Sequence, residues 1–386
     1  MKRKKKHSFI LTMLFALVIT VAVLTHFLTQ YKHLVWISIA FVLQLLAGIY
    51  CIVKTAKTIG AVSQSLKYQT GIAAGVLQAI GTALPDMAIG ILAAILSVRE
   101  ASGDYYRSIQ YGMVAGSTTL GSNIYNILFA SWCVWRQDKS DRVKREVLMF
   151  PLIKKWGRLT PLSQQELKPT LREISSSLTL LLILSAITAL VAISVVFSGI
   201  IESSPELFQQ DIYKFDKGMA LFILMACLFL IYEFRKAQSS SNVKEKTNLE
   251  DTGNSVIRNW FFLLVATFIL FISAYMVIEA ITRISELTNI PIEVLGMATA
   301  LVGCLGEMTV IYDFSIHQSG TIIDAITGVT MDNFFTIVGT CLIALIGGIY
   351  LGSSTAIIIF ICIMLANTVL IVQTAKLKDE YLAFNE

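Results

Sequence analysis

A carboxylate directly follows a proline in the middle of a long apolar stretch of this sequence. The segment GTALPD ends with Pro85 and Asp86, inside an apolar run that covers residues 70–98. An ionised carboxylate at the centre of a bilayer costs at least about 2.5–3.5 kcal/mol on insertion scales. Because no lysine or arginine lies at the same depth in the apolar runs of the chain, a bound cation or a proton must offset this cost.

The same combination of residues recurs in the second half of the chain. AIGTALPDM (79–87) and ALVGCLGEM (300–308) both begin with Ala and end with a helix-disturbing residue, a carboxylate and Met. Each segment is followed by a second polar stretch, STTLGSNIYNIL (117–128) and ITGVTMDNFFTI (326–337). Repeats of this kind indicate a duplicated structural unit.

The polar side chains of these four segments carry oxygen, the atom that hard cations prefer. Calcium accepts 6–8 oxygen ligands in flexible geometry, whereas magnesium retains several waters. Asp86 and Glu307 together would neutralise one divalent ion, and Na⁺ accepts similar oxygens with less charge. Pro85 has no amide hydrogen and is expected to break its helix, which would free backbone carbonyls beside Asp86. Gly303 and Gly306 would loosen the helix around Glu307 without the rigidity of a proline.

The elements that carry these residues are predicted to be transmembrane helices. The chain of 386 residues is 55% hydrophobic and 15% charged, with a mean hydropathy of +0.69, whereas an average soluble protein has about 25% charged residues. About 20 apolar residues can cross a bilayer as a helix. Ten such runs occur, at 8–29, 34–53, 70–98, 106–135, 176–199, 217–234, 257–282, 291–314, 321–349 and 353–373.

Cysteine and histidine do not indicate another kind of site. All six cysteines fall inside the apolar runs, no Cys-x-x-Cys pair occurs, and the four histidines are scattered along the chain. The cysteine and histidine pattern therefore disfavours a disulfide-stapled or zinc-binding fold.

Basic residues predict how the chain is oriented in the membrane. Lysine and arginine are concentrated in the N-terminal MKRKKK, in the loops at 54–69, 136–175 and 235–256, and in the C-terminal segment, which favours the placement of these segments in the cytoplasm. Ten crossings then leave both termini cytoplasmic, and the plasma membrane is the expected host. The motif helices at 70–98 and 291–314 cross in opposite directions, so the sequence predicts two inverted-topology repeats with broken helices at the midplane, as in secondary transporters.

This organisation divides the chain into four predicted parts. Residues 1–33 form an extra N-terminal helix, interpreted as a retained anchor rather than a signal peptide because its apolar stretch is too long for a signal core. Residues 34–234 form the first repeat half, with motif helices at 70–135 and a cytoplasmic loop at 136–175. A polar cytoplasmic linker covers 235–256, and residues 257–386 form the second repeat half, with motif helices at 291–349.

At its repeated motifs the sequence resembles the calcium/cation antiporter superfamily, which includes the sodium/calcium exchangers. The repeats of this family read roughly G-T-S-L-P-E and G-N-x-x-G-S-N/D. GTALPD and STTLGSN match the first repeat, whereas VGCLGE (302–307) and TGVTMD (327–332) are diverged. Ala83, Gly303 and Gly328 stand where the family often has hydroxyl groups, which weakens the expected support for Na⁺.

The resemblance implies a cation site built from both repeats. Asp86 and Glu307 would be the central carboxylates, with Asn123 and Asp332 at the remaining corners. The flanking positions would be the hydroxyls of Thr82 and Thr119 and the carbonyls of Ala79 and Ala300. The family also implies overlapping Ca²⁺ and Na⁺ sites and a sliding helix pair that switches access.

The function expected from these residues is secondary antiport of Ca²⁺ for Na⁺ by alternating access, with no enzymatic activity. No cofactor is expected beyond the transported ions, and the expected partners are Ca²⁺, Na⁺ and the lipid bilayer, with a monomeric transport unit and no nucleic acid. An H⁺- or K⁺-coupled exchanger is the alternative. Other classes that fit membrane carboxylates are a non-transporting ion sensor, a divalent channel and an intramembrane aspartyl hydrolase.

Overall fold

The computed structural model describes residues 2–30, 34–70, 74–165, 168–200, 211–239, 256–316 and 321–385. Side chains are described for these residues except 2–8, 34, 63–70, 74–82, 233–239 and 381–385. Of the polar linker predicted at 235–256, residues 240–255 lie outside the described residues, whereas 235–239 and 256 are helical.

Helices dominate the described part of the chain. They are α1 (Lys2–Gln30), α2 (Leu34–Thr70), α3 (Ala74–Glu100), α4 (Tyr105–Val143), α5 (Leu171–Phe197), α6 (Lys217–Ser239), α7 (Val256–Thr288), α8 (Ile292–Ile316), α9 (Ile322–Ile346) and α10 (Ser353–Asn385). Each of the ten predicted apolar runs falls on one of them, so the all-α architecture is confirmed. Large apolar side chains such as Leu264, Phe229 and Leu365 are exposed on the outer surface, as expected where lipid is the solvent.

Seven of these helices are long and apolar enough to cross a membrane by length and composition, namely α1, α2, α5, α7, α8, α9 and α10. The helix α4 is too polar for this criterion, because it carries the polar stretch 117–128. Every residue from Ser108 to Ile124 is buried, so neighbouring helices rather than lipid surround these polar groups. A polar helix is tolerated at the centre of the bundle for this reason.

Two short strand pairs join elements that are distant in sequence. Strand β3 (Ile212–Lys214), which follows α5, pairs antiparallel with β4 (Tyr350–Gly352), which follows α9. Helices α5 and α9 therefore end at the same face of the bundle. On the other face, the Lys376 ammonium lies 2.9 Å from the Asp138 carboxylate and joins the ends of α10 and α4. Both contacts agree with helices that cross alternately.

The second strand pair belongs to an ordered segment at the face where α4, α8 and α10 end. Strand β1 (Val147–Leu148) pairs antiparallel with β2 (Arg158–Leu159), and we call residues 144–158 the cap hairpin. The Arg136 side chain donates to the Leu148 carbonyl, at 2.9 Å from Nε, and the Trp132 indole donates to the Met149 carbonyl at 3.2 Å. The predicted loop at 136–175 is therefore shorter than expected.

Polar side chains fix both ends of that loop. Helix α4 continues to Val143 because Gln137 and Ser140 are buried against the returning chain, where they donate to the Thr160 and Leu159 carbonyls. Helix α5 begins at Leu171 after a capping box formed by Thr170 and Glu173.

Pro85 does not interrupt the secondary structure. Helix α3 continues on both sides of it, and α8 continues through Gly303 and Gly306. The helix breaks predicted at Pro85 and around Glu307 therefore do not appear as gaps in α3 or α8. Pro85 nevertheless leaves the carbonyl four residues earlier without its amide donor. Neighbouring helices stabilise such prolines inside a membrane.

Asp141 predicts a dependence of stability on pH. Burial raises its pKa from 3.8 to about 6, although the Leu162 amide and Gln137 donate to it. Because the folded protein binds this proton more tightly than the unfolded chain does, stability should fall as pH rises from about 4 to about 6 and level off above that. Asp141→Asn retains an acceptor for the Leu162 amide, so it should flatten this fall and raise the melting temperature at pH 7.5. Thermal unfolding of detergent-purified protein across this range measures it.

Asp138 serves as the control with the opposite sign. Burial opposes its ionisation, but hydrogen bonds from Lys376 and Arg142 outweigh burial and lower its pKa. Asp138→Asn should therefore lower the melting temperature at pH 7.5. If both variants shift the melting temperature in the same direction, the assignment of Asp141 is wrong.

Candidate cation site

Helices α3 and α8 make close contact where Asp86 meets Gly303. Asp86 is completely buried. A Cβ atom placed on Gly303 would lie 1.6 Å from Asp86 Oδ1 and 2.6 Å from its Cγ, so the carboxylate lies directly against the α8 backbone. Only glycine leaves room for it there. The motif helices of the two repeats are therefore in contact at the first predicted carboxylate.

Helix α4 contributes an amide that joins the other two carboxylates. The Asn126 side-chain amide donates to Glu307 Oε2 on α8, and to Asp332 Oδ2 at 3.2 Å and Asn333 Oδ1 at 3.4 Å on α9. All four side chains are buried. One amide group thus holds acidic groups from α8 and α9 together.

Asp86 belongs to the same electrostatic cluster. It interacts with Asp332, and Glu307 interacts with both Asp332 and Asp86. The Cys304 thiol lies 3.9 Å from Asp86 Oδ2 and 3.3 Å from the Ser122 carbonyl. We call the side chains of Asp86, Asn123, Asn126, Cys304, Glu307, Asp332 and Asn333 the midplane cluster.

Four buried oxygen atoms of the midplane cluster accept no hydrogen bond. They are Asp86 Oδ1, Asn123 Oδ1, Asn126 Oδ1 and Glu307 Oε1. Buried polar atoms without a partner are rare and each is costly. Among the described residues neither Asp86 nor Glu307 forms an ion pair, so no basic side chain there neutralises them. The carboxylate and amide oxygens are the donor type that hard cations such as Ca²⁺ and Na⁺ accept.

The acidic groups do not form a preassembled metal cage of their own. In the described ranges, no three His, Cys, Asp or Glu side chains are grouped in a way that could hold a metal ion. Any cation bound here would need amide and backbone oxygens to complete its coordination.

The structure places the other predicted site residues as follows. Asn123 is buried, and its backbone carbonyl accepts from Asn333 at 3.4 Å. The Thr119 hydroxyl donates to the Ala115 carbonyl of its own helix at 2.7 Å, and its methyl group lies against Gly90.

The remaining predicted positions lie in the motif helices α3 and α8. Ala300 is buried opposite Gly121. Thr82 and Ala79 are part of α3, outside the residues whose side chains are described. The assignment of Thr82, Thr119, Ala79 and Ala300 to flanking ion positions stays a prediction.

Asn126 and Asn333 were not predicted as site residues. Comparison of the two repeats aligns Asn123 with Asp332, and at the same offset Asn126 aligns with Phe335. A search for polar positions shared by both repeats therefore passes over Asn126. The available signal was its position three residues after Asn123, which puts both amides on one helix face.

Part of the sequence is similar to a known protein family. The family model described as sodium/calcium exchanger protein matches residues 258–381, the half whose motifs diverge more from the family pattern. No curated protein matches the sequence.

Solved structures share the fold over almost the whole chain. The H⁺/Ca²⁺ exchanger CAX is 12% identical with a TM-score of 0.58, covering 96% of this chain and 93% of its own. Native YfkE is 13% identical with a TM-score of 0.56, covering 96% and 97%. The sodium-calcium exchanger NCX_Mj is 16% identical with a TM-score of 0.44, covering 88% and 90%. At these identities the likeness to CAX and YfkE shows a common fold.

The contact between Asp86 and Gly303 predicts a marked difference between two glycines of one helix. Gly303→Ala should displace the Asp86 carboxylate and destabilise the protein by about 1–3 kcal/mol, as overpacking does in other cores. Gly306→Ala is the control, since its new methyl group would meet only the Ala56 Cβ at 4.0 Å. It should leave stability unchanged or raise it by up to about 1 kcal/mol. Unfolding in detergent compares the two, and equal stability would contradict the proposed contact.

Proposed function

We propose that this chain is a member of the calcium/cation antiporter superfamily and exchanges Ca²⁺ for a monovalent cation across the membrane that it spans. The observation that carries the proposal is the group of four unpartnered, buried oxygens in the midplane cluster. Two of them belong to carboxylates that no described basic residue neutralises. A divalent cation would satisfy the oxygens and the charge together.

Asn126 gives the proposal a mechanism for loading and release. Its amide hydrogens face Glu307 and Asp332, while its own oxygen is unpartnered. Rotation of this amide group by half a turn would direct its oxygen toward the carboxylates and complete an oxygen shell around a cation. The same group would then hold the acidic side chains by hydrogen bonds after the cation leaves.

Alternating access would use the helix that begins each repeat half. Helix α2 begins the first half and α7 the second, and they pack closely: a Cβ on Gly48 would lie 2.7 Å from Val277 Cγ2. The Gln44 amide also donates to the Met276 carbonyl at 3.1 Å. We infer that α2 and α7 are the sliding pair, moving together past α3, α4, α8 and α9.

Na⁺ is our first candidate for the counter-ion, because it accepts the same oxygen donors with half the charge and could replace Ca²⁺ in overlapping positions. H⁺ is the second candidate. The observation in its favour is the third acidic group, Asp332, which shares the Asn126 donor with Glu307. CAX, one of the proteins of similar fold, is an H⁺/Ca²⁺ exchanger. The hydroxyls of Thr119 and Thr330, which could support Na⁺, donate to carbonyls of their own helices.

The protein is a multi-pass integral membrane protein, and we propose that the face with the cap hairpin is cytoplasmic. Residues 144–158 include five basic side chains and one acidic side chain, the bias expected on the cytoplasmic side. Ten crossings then place both termini there. The plasma membrane and a monomeric transport unit complete the proposal.

Calorimetric titration of the purified protein with Ca²⁺ tests the site. Asp86→Asn and Glu307→Gln should each weaken binding by about two orders of magnitude or more, because breaking one buried charge pair costs about 3–5 kcal/mol. Asp379→Asn removes a carboxylate from the exposed end of α10 and should bind as wild type. Unchanged affinity in both site variants would reject the midplane cluster as the cation site.

Flux measurements in proteoliposomes test the exchange and its counter-ion. Ca²⁺ uptake should follow an imposed outward gradient of Na⁺, or of H⁺ if the second candidate is correct, and should saturate with Ca²⁺. A K⁺ gradient and a gradient-free sample are run in parallel. Ca²⁺ binding without gradient-dependent uptake would instead identify an ion sensor, and uptake independent of any counter-ion would identify a channel.

A further inference from the structure

We propose that the cap hairpin is an interfacial anchor that binds the anionic headgroups of the surrounding bilayer. The hairpin shares no residue with the midplane cluster, and its proposed role does not depend on which ions the protein transports. Its components are an exposed apolar tip, two adjacent lysines and an aromatic base that fixes it at the height of the headgroups.

The tip of the hairpin presents apolar side chains away from the protein. Leu152 is 96% exposed, and Ile153 and Trp156 are 47% and 50% exposed. Leu152 also has a φ of +72°, a conformation that is unfavourable for a side chain of this kind. The backbone is thus bent in a way that directs a leucine outward instead of against the bundle. A backbone strain kept at an exposed apolar position indicates a function for that position.

Aromatic contacts place this tip beside the membrane surface. The Phe150 ring stacks on Trp132 of α4 at 6.0 Å and meets Trp156 edge-on at 5.1 Å, and Trp156 meets Tyr312 of α8 at 6.2 Å. Tryptophan and tyrosine prefer the interface between hydrocarbon and water. Because Trp132 and Tyr312 lie near the ends of two membrane helices, the hairpin lies along the interface and does not project into the water.

The basic side chains of the hairpin indicate that it binds anionic lipids. Lys154 and Lys155 directly follow the apolar tip and are exposed. Of the other charged groups of the hairpin, Arg158 lies 3.5 Å from Glu146, whereas neither lysine has an ion-pair partner in the described part of the chain. Apolar side chains next to lysines are the pattern of segments that bind anionic membrane surfaces. Phosphate-bearing headgroups such as phosphatidylglycerol fit this pattern.

The hairpin is attached firmly to two helices of the bundle, so lipid binding at its tip can affect those helices. A Cβ on Gly157, whose φ is +74°, would lie 2.6 Å from the Ile316 side chain at the end of α8. Arg136 and Trp132 attach the other strand to α4. Lipid bound at the tip therefore acts on the two helices that carry Glu307 and Asn126.

Titration of the detergent-purified, full-length protein with phosphatidylglycerol tests the proposal, with the melting temperature as the readout. Wild-type protein should be stabilised, and Lys154→Gln/Lys155→Gln should raise the apparent dissociation constant roughly 30-fold, since two lysines no longer face the anionic surface. Lys168→Gln/Lys378→Gln removes the same charge from the same face outside the hairpin and should titrate as wild type. Equal loss in both double variants would reject a specific role of the hairpin.

Two further measurements distinguish lipid binding from two alternatives. In the first alternative the hairpin binds free anions, and in the second it lies in water. Soluble glycerol phosphate should not stabilise the protein; if it replaces the lipid, the site binds free anions and the proposal is wrong. The contribution of Trp156 to the fluorescence is the part that is lost in Trp156→Phe. In vesicles with brominated acyl chains, this contribution should be quenched more strongly than the fluorescence of the other tryptophans. If the Trp156 fluorescence is not quenched, the hairpin lies in water and the proposal fails. None of these readouts uses transport, so they are independent of the proposed function.

Discussion

The structure depends on the need to compensate acidic side chains that lie inside hydrocarbon. Asp86, Glu307 and Asp332 come from three helices and two halves of the chain, yet they share one buried cluster. Folding brings together groups that repel one another, and this is stable only if amide donors, protons or cations occupy the space between them. Asn126 supplies the donor that the chain itself provides. The rest of the bundle can be understood as the packing needed to keep this cluster away from lipid.

Helix α4 shows how that packing is achieved. It is the most polar of the bundle helices at its centre, yet its residues from Ser108 to Ile124 are buried on all sides. Glycines allow the close approach: a Cβ on Gly112 would lie 2.1 Å from the Tyr350 ring, and one on Gly116 would lie 2.8 Å from the Tyr350 carbonyl. At its other end, α4 is attached to the cap hairpin. Helix α4 is thus held at both ends, and it would be the stationary frame if α2 and α7 slide as proposed.

Much of the fold could be predicted from the sequence, because runs of about 20 apolar residues are a strong signal and the repeat indicated their pairing. The contact of the two motif helices at Asp86 follows from the same repeat. Three features could not be predicted. Asn126 has no polar counterpart in the second repeat, since Phe335 stands there. The cap hairpin depends on long-range bonds from Arg136 and Trp132, which leave no local pattern. Helix α3 continues past Pro85 because its neighbours stabilise it, which is tertiary information.

The short ladder of β3 and β4 has a consequence for how the two halves can move. It joins the end of the first half to the loop before α10, at the face opposite the cap hairpin, through the register Ile212↔Gly352 to Lys214↔Tyr350. Main-chain bonds of this kind resist separation but tolerate twisting. The main-chain bonds of this ladder therefore connect the two halves at one membrane surface. Any movement that separates α5 from α9 at this surface must first break these bonds, whereas α2 and α7, the proposed sliding pair, form no part of the ladder.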